Sequence, residues 1–122
     1  MRVYGLIGYP LTHSFSKKYF TEKFEKLGLA DCKYENFSIA GIADVKKIIS
    51  SQPSLKGLNV TIPYKESILS LLDEKSEVVK KISACNCIKI VGGKLKGFNT
   101  DTVGFEKTLS TKFFKKFFPR RH

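Results

Sequence analysis

Three short stretches that read as strands, at residues 3–7, 33–39 and 57–62, are each followed by a stretch whose apolar residues return at helical spacing. That alternation constrains the fold of this chain more than any other feature. The first run is stopped by Gly8 and Pro10. A serine-rich turn, LTHSFS, follows, and then KKYFTEKFEKLG sets Phe20, Phe24 and Leu27 on one helical face with Gly28 placed to end the helix. KYENFSI predicts a second strand. Ile42, Val45, Ile48 and Ile49 mark the buried face of a second helix that closes before Gln52 and Pro53. In GLNVTI, Leu58, Val60 and Ile62 alternate with Asn59 and Thr61, the period of two that belongs to a strand. Pro63 suits the first turn of a third helix, where its missing N–H is not needed, with Ile68, Leu69, Leu71 and Leu72 as its apolar side.

A short helix over SEVVKKIS leads to CNCIKIV, Gly92-Gly93 and KLKGF. Two glycines between alternating runs predict a β-hairpin, because a tight turn needs positive backbone angles there. Strands alternating with helices give a mainly parallel sheet. The expected fold is therefore α/β: a three-layer sandwich with a mixed, mainly parallel sheet, helices on both faces and a β-hairpin on its C-terminal side. At 122 residues, with 42% apolar and 12% aromatic side chains, the chain has the material for one core and not the composition of a disordered segment.

Lysine and arginine outnumber aspartate and glutamate by 22 to 11, so anionic partners are favoured, without distinguishing nucleic acid from a small carboxylate. Much of the excess sits at Lys112, Lys115, Lys116, Arg120 and Arg121. Cys32, Cys85 and Cys87 cannot all pair within one chain, and their spacing matches no four-ligand zinc site, so free buried thiols and no metal are expected. In a strand, Cys85 and Cys87 would share a face. No run of about 18 apolar residues and no signal peptide is visible, so a cytoplasmic protein without membrane association is the expectation.

Polar side chains collect where an open α/β sheet binds ligands, at the carboxyl ends of its strands. Ser14 and Ser16 follow the first strand, Asn59, Thr61 and Lys65 lie along and after the third, Asn86 enters the hairpin, and Asn99, Thr100 and Asp101 leave it. Each has an ordinary alternative: Ser16 can simply cap the helix, His13 can be an exposed loop residue, and Lys65 can be one solvated lysine among many. A lysine in the first turn of a helix is disfavoured by the dipole, and Asp101 is a candidate to compensate it.

Together, GLIGYPLTHSFSKKYF, LNVTIPYK, ACNCI and GFNTDTVGF, in that order, resemble the substrate-binding domain of shikimate dehydrogenase, over residues 1 to about 109. The resemblance implies that Ser14 and Ser16 hold the shikimate carboxylate and that Asn59, Thr61, Asn86 and Asp101 bind or orient ring hydroxyls. It further implies that Lys65 and Asp101 form the catalytic pair, with Lys65 handling the proton of the hydroxyl that is oxidised while hydride passes to NADP. A positioned lysine can serve as acid in one direction and base in the other.

Two departures stand out. Lys17 occupies a position where the family commonly has proline, and no G-x-G-x-x-G occurs anywhere. The expected organisation is a shikimate-binding catalytic domain, 1–109, and a basic aromatic segment, 110–122, leading toward an NADP-binding domain that this chain lacks. The chain alone would then bind no cofactor and be inactive, with shikimate or 3-dehydroshikimate as its ligand and quinate as an open question. Phe113, Phe114, Phe117 and Phe118 predict self-association through the tail. The alternative is a non-catalytic module, either sensing shikimate-like acids or binding nucleic acid and other anionic surfaces. The charge of +11 suits the latter, although it leaves the motifs unexplained and no specific nucleic-acid partner is expected.

Overall fold

The first strand, β1 (Arg2–Gly8), alternates side chains between two separate cores, and this determines where everything else packs. Tyr4 and Leu6 point to one side and Ile7 to the other. The structure is a computed structural model that describes residues 1–11 and 15–100, the side chains of Phe15 and Ser16 excepted. The remaining elements are α1 (Phe15–Lys26), β2 (Cys32–Ser38), α2 (Asp44–Ser51), β3 (Leu55–Val60), a 3-10 helix (Ser67–Leu71), β4 (Glu74–Lys75), α3 (Glu77–Ile82), β5 (Cys87–Val91) and β6 (Lys94–Phe98).

Six strands form one sheet in the order β2-β1-β3-β5-β6-β4. β1 pairs in parallel with β2 and β3, β5 runs antiparallel between β3 and β6, and β4 lies parallel to β6 at the far edge. The mixed sheet, the late hairpin and the helices on both faces are as expected. Phe20 and Phe24 of α1 pack with Tyr4, Leu6, Leu29, Tyr34 and Cys87 on one side. Val45, Ile68 and Val79, from α2, the 3-10 helix and α3, pack with Ile7, Leu58, Val60 and Ile88 on the other.

Local rules set the element ends. At the end of α1, Gly28 has φ of +67°. The N–H of Leu29 reaches the Phe24 carbonyl at 2.9 Å and that of Gly28 the Glu25 carbonyl at 3.1 Å, the paired bonds of a Schellman cap, with Phe24 and Leu29 buried together. Ser76 caps α3, its hydroxyl accepting from the Val79 N–H at 3.3 Å.

Three expectations are corrected. No α-helix starts at Pro63: Ile62-Pro63 is a cis peptide in a turn, and the helix that follows is a five-residue 3-10 segment beginning at Ser67. Tertiary anchors hold that turn in place, since the Tyr64 hydroxyl donates to the Ile39 carbonyl and the Cys85 N–H donates to the Lys65 carbonyl at 2.8 Å. Lys65 is therefore not in a helix first turn, and the dipole argument for a compensating aspartate falls away. Cys85 and Cys87 do not share a face. β5 begins only at Cys87, so Cys85 joins the core around Ile68 and Val79, while Cys87 joins the core around Tyr4 and Phe24. The segment 110–122 lies outside the described residues, and so do the domain boundary at 109 and the four phenylalanines of the tail.

Candidate functional site

The carboxyl ends of β1 and β3, the start of β5 and the end of β6 meet at one edge of the sheet. The register shows this directly: Leu6 stands opposite Asn59, Asn59 opposite Cys87, and Cys87 opposite Phe98. β1 and β3 continue pairing past their ends, with the Thr61 N–H donating to the Ile7 carbonyl at 2.9 Å and the Tyr9 N–H to the Ile62 carbonyl at 3.2 Å. Gly8 permits this closeness. A Cβ at position 8 would come 2.5 Å from Thr61 Cγ2, so no larger residue fits while Thr61 keeps its place.

Asn59 and Thr61 follow the strand alternation that buries Leu58 and Val60 on the opposite side, so both lie on the α1 side of β3. The Asn59 amide Nδ2 donates to the Tyr34 hydroxyl at 2.8 Å. Tyr34 is 2% exposed, and its ring stacks on Phe20 with centroids 4.8 Å apart and planes 12° from parallel. Sequence reasoning missed Tyr34. Its only signal was an aromatic residue at an inward position of β2, which predicts core and nothing more.

Asn86 ties the edge together through main chain and side chain alike. Its carbonyl accepts from the Val60 N–H at 2.8 Å and its N–H donates to the Phe98 carbonyl at 3.1 Å, bridging β3 and β6. Its side chain closes a ring with Thr100: Nδ2 donates to Thr100 Oγ1 at 2.7 Å, and Oδ1 accepts from the Thr100 N–H at 2.9 Å. Asn99, buried, donates to the Ala84 carbonyl at 3.0 Å and so holds the strand exit in place. Lys65 is linked to this edge through its own carbonyl, which accepts from Cys85 directly before Asn86.

Of the predicted site residues, the structure brings Asn59, Thr61, Lys65 and Asn86 to one end of the sheet. Ser14 and Asp101 lie outside the described residues, and so does the side chain of Ser16, whose backbone opens α1. A cavity of about 460 Å³ sits between α1 and β2, lined by Lys17, Thr21, Phe24, Lys33, Tyr34 and Glu35. None of Asn59, Thr61, Lys65 and Asn86 lines it, so it is not the place where these polar residues gather. Among the described residues, no cluster of histidine, cysteine and acidic side chains could hold a metal ion. Cys87 is no nucleophile either, because complete burial pushes its thiol well above the usual range and keeps it protonated.

This geometry has close counterparts. The family described as the shikimate dehydrogenase substrate binding domain matches residues 6–88. The chain belongs to that family. Shikimate dehydrogenase (NADP(+)) from Methanococcus maripaludis is 40% identical over 113 residues, covering 91% of this chain and 40% of that relative. The structure of shikimate 5-dehydrogenase from Thermus thermophilus in complex with shikimate superimposes with a TM-score of 0.78 at 32% identity, over 90% of this chain and 42% of that one. A 5-ketofructose reductase from Gluconobacter in its ligand-free form superimposes with a TM-score of 0.79 at 30% identity, over 90% of this chain and 40% of that one. The chain thus spans about two fifths of the length of the relatives it matches. The named enzymes are oxidoreductases, and four of the polar positions that carry the motif stand together on the sheet edge of this chain.

Proposed function

We propose that this chain is the substrate-binding half of an NADP-dependent shikimate dehydrogenase and holds shikimate or 3-dehydroshikimate at the carboxyl edge of β1 and β3. The observation that carries the reading is the gathering of Asn59, Thr61, Lys65 and Asn86 at that edge in a chain of this family. Such an edge suits a small polyhydroxylated acid, since amides and hydroxyls there can meet ring hydroxyls and Lys65 brings a cation to the same end of the sheet.

In this reading Ser14 and Ser16 hold the carboxylate, and Asn59, Thr61, Asn86 and Asp101 orient the ring. Lys65 and Asp101 take the hydroxyl proton as the alcohol becomes a ketone and return it in reverse. The residues of this chain do not fit the cofactor: no G-x-G-x-x-G of the kind that cradles a dinucleotide occurs in the sequence, and β1 leads into GYPLTHSF. Its own chemistry is confined to holding substrate and handling the proton, so purified chain turns over no shikimate. The same fit assigns it no NADP site.

Titration calorimetry with shikimate tests this. Wild-type chain is expected to bind, and Asn59→Ala and Lys65→Ala to weaken binding by about tenfold or more, as expected for lost hydrogen bonds in a half-buried site. The response should change little with added salt, whereas binding to arbitrary DNA driven by the net charge of +11 would fall steeply. Absence of binding at millimolar shikimate sinks the reading. The likeness to the 5-ketofructose reductase favours one second reading, a site for a polyhydroxylated ketone without a carboxylate, and heat with 5-ketofructose in place of shikimate would select it.

A further inference from the structure

The backbone does not require glycine at position 8. Gly8 ends β1 in ordinary strand geometry, without the positive φ of Gly28, Gly92 and Gly93. What excludes a side chain is the neighbouring strand and loop: a Cβ there would meet Thr61 Cγ2 at 2.5 Å, Leu11 Cδ2 at 3.0 Å and the Ile62 carbonyl oxygen at 3.2 Å. Gly5 and Gly97 are as tightly enclosed, but the side chains they would meet, Phe37 and Leu72, pack against the core. Gly8 instead makes room for a residue of the candidate site. A threonine side chain has staggered positions to choose from, and here the methyl takes the one against Gly8. The hydroxyl is therefore turned away from Gly8. Among the described residues it has no hydrogen-bond partner, and no buried side-chain oxygen or nitrogen is left unpaired, so this half-buried hydroxyl is open to a ligand.

We infer that Gly8 is a positioning residue that acts through Thr61: by seating the threonine methyl against β1 it fixes the direction of the hydroxyl oxygen at the carboxyl edge. This rests on the proposed binding of shikimate at the β1 and β3 edge. A side chain already held in one rotamer gives up no freedom when a ligand arrives, so the hydrogen bond it makes is not offset by an ordering cost. A side chain at position 8 would displace the methyl and carry the hydroxyl with it, although the hydroxyl itself is untouched.

The experiment introduces Gly8→Ala into three forms of the full chain and measures shikimate binding by titration calorimetry. With Thr61 in place, Gly8→Ala is expected to weaken binding about tenfold or more. With Thr61→Ser, which keeps the hydroxyl and removes the methyl that the new Cβ would strike, the same change should cost about threefold or less. With Thr61→Val, which keeps the bulk and has no hydroxyl to misplace, Gly8→Ala should again cost about threefold or less relative to Thr61→Val alone. A glycine that merely preserved the fold would weaken binding as much in the Thr61→Val chain as in wild type. Should Gly8→Ala fail to fold, a measurement on wild type serves instead: three-bond NMR couplings to Thr61 Cγ2 should report one χ1 rotamer, the same with and without shikimate. Rotamer averaging in the free chain, unchanged affinity in Gly8→Ala, or an equal loss in the Thr61→Val chain overturns this inference alone. Failure of wild type to bind shikimate overturns the ligand reading and this inference with it.

Discussion

At position 4 a phenol is buried to 2% exposure, and burial pushes its ionisation up to about 12 from 10.0, with Arg2 working against the shift. In the unfolded chain the same tyrosine ionises near 10. Between those two values the unfolded state releases its proton while the native state keeps it, so stability that is complete below about pH 10 falls as pH rises toward 12, by roughly 2–3 kcal/mol. Tyr4→Phe isolates the contribution of this phenol from that of the rest of the chain. Urea midpoints followed from about pH 9 to 12 should fall more steeply for wild type than for Tyr4→Phe, and equal slopes would contradict the assignment. Single residues also mark where sequence reading stops. The shared face of Asn59 and Thr61 followed from alternation with Leu58 and Val60, which is local. The phenol that is hydrogen-bonded to Asn59 stands 25 residues earlier on a strand two places away in the sheet, and no spacing rule connects them.

The hairpin of β5 and β6 is the element whose sequence and structure agree most closely. Gly92 and Gly93 carry φ of +58° and +79°, and the pairing of Val91 with Lys94 makes them a two-residue turn. Both angles positive is the type I′ arrangement that matches the twist of the flanking strands. Gly92→Asn should therefore be nearly neutral, whereas Gly92→Val, β-branched in a left-handed position, should lower stability by about 1–2 kcal/mol in chemical denaturation. Comparable losses for both would show that the turn does not depend on backbone freedom. The segment after Pro63 shows the opposite case. Proline and an apolar pattern predicted an α-helix, yet Tyr64 donating to Ile39 and the main chain of Lys65 held by Cys85 anchor a hydrogen-bonded turn there instead. β4 escaped prediction because two residues are too short for any period to show, and its pairing with Lys96 and Gly97 is purely tertiary.

For the molecule as a whole, the sheet order puts β1 and β3 inside, each paired on both sides, and leaves β2 and β4 at the edges. Both faces of β1 are buried, by α1 on one side and by α2, the 3-10 helix and α3 on the other, and β3 buries Leu58 and Val60 against the second of these layers. Native-state hydrogen exchange should therefore find the amides of Leu6, Ile7 and Leu58 among the slowest and those of Glu74 and Lys75 among the fastest. Protection of β4 equal to that of β1 would mean that opening is global and not layered. No helix among the described residues is long and apolar enough to cross a membrane, in keeping with the absence of a long apolar run in the sequence. By itself the sequence determined the alternation of strands and helices, the helix cap at Gly28, the hairpin turn and the face on which Asn59 and Thr61 lie, because each is set by residues within a few positions of one another. Only the tertiary structure decided the strand order, the separation of Cys85 from Cys87, the turn that carries Lys65, and the pairing of Asn59 with Tyr34 and of Asn86 with Thr100. Those depend on contacts between distant stretches, whose free energy is realised only when the whole sheet closes.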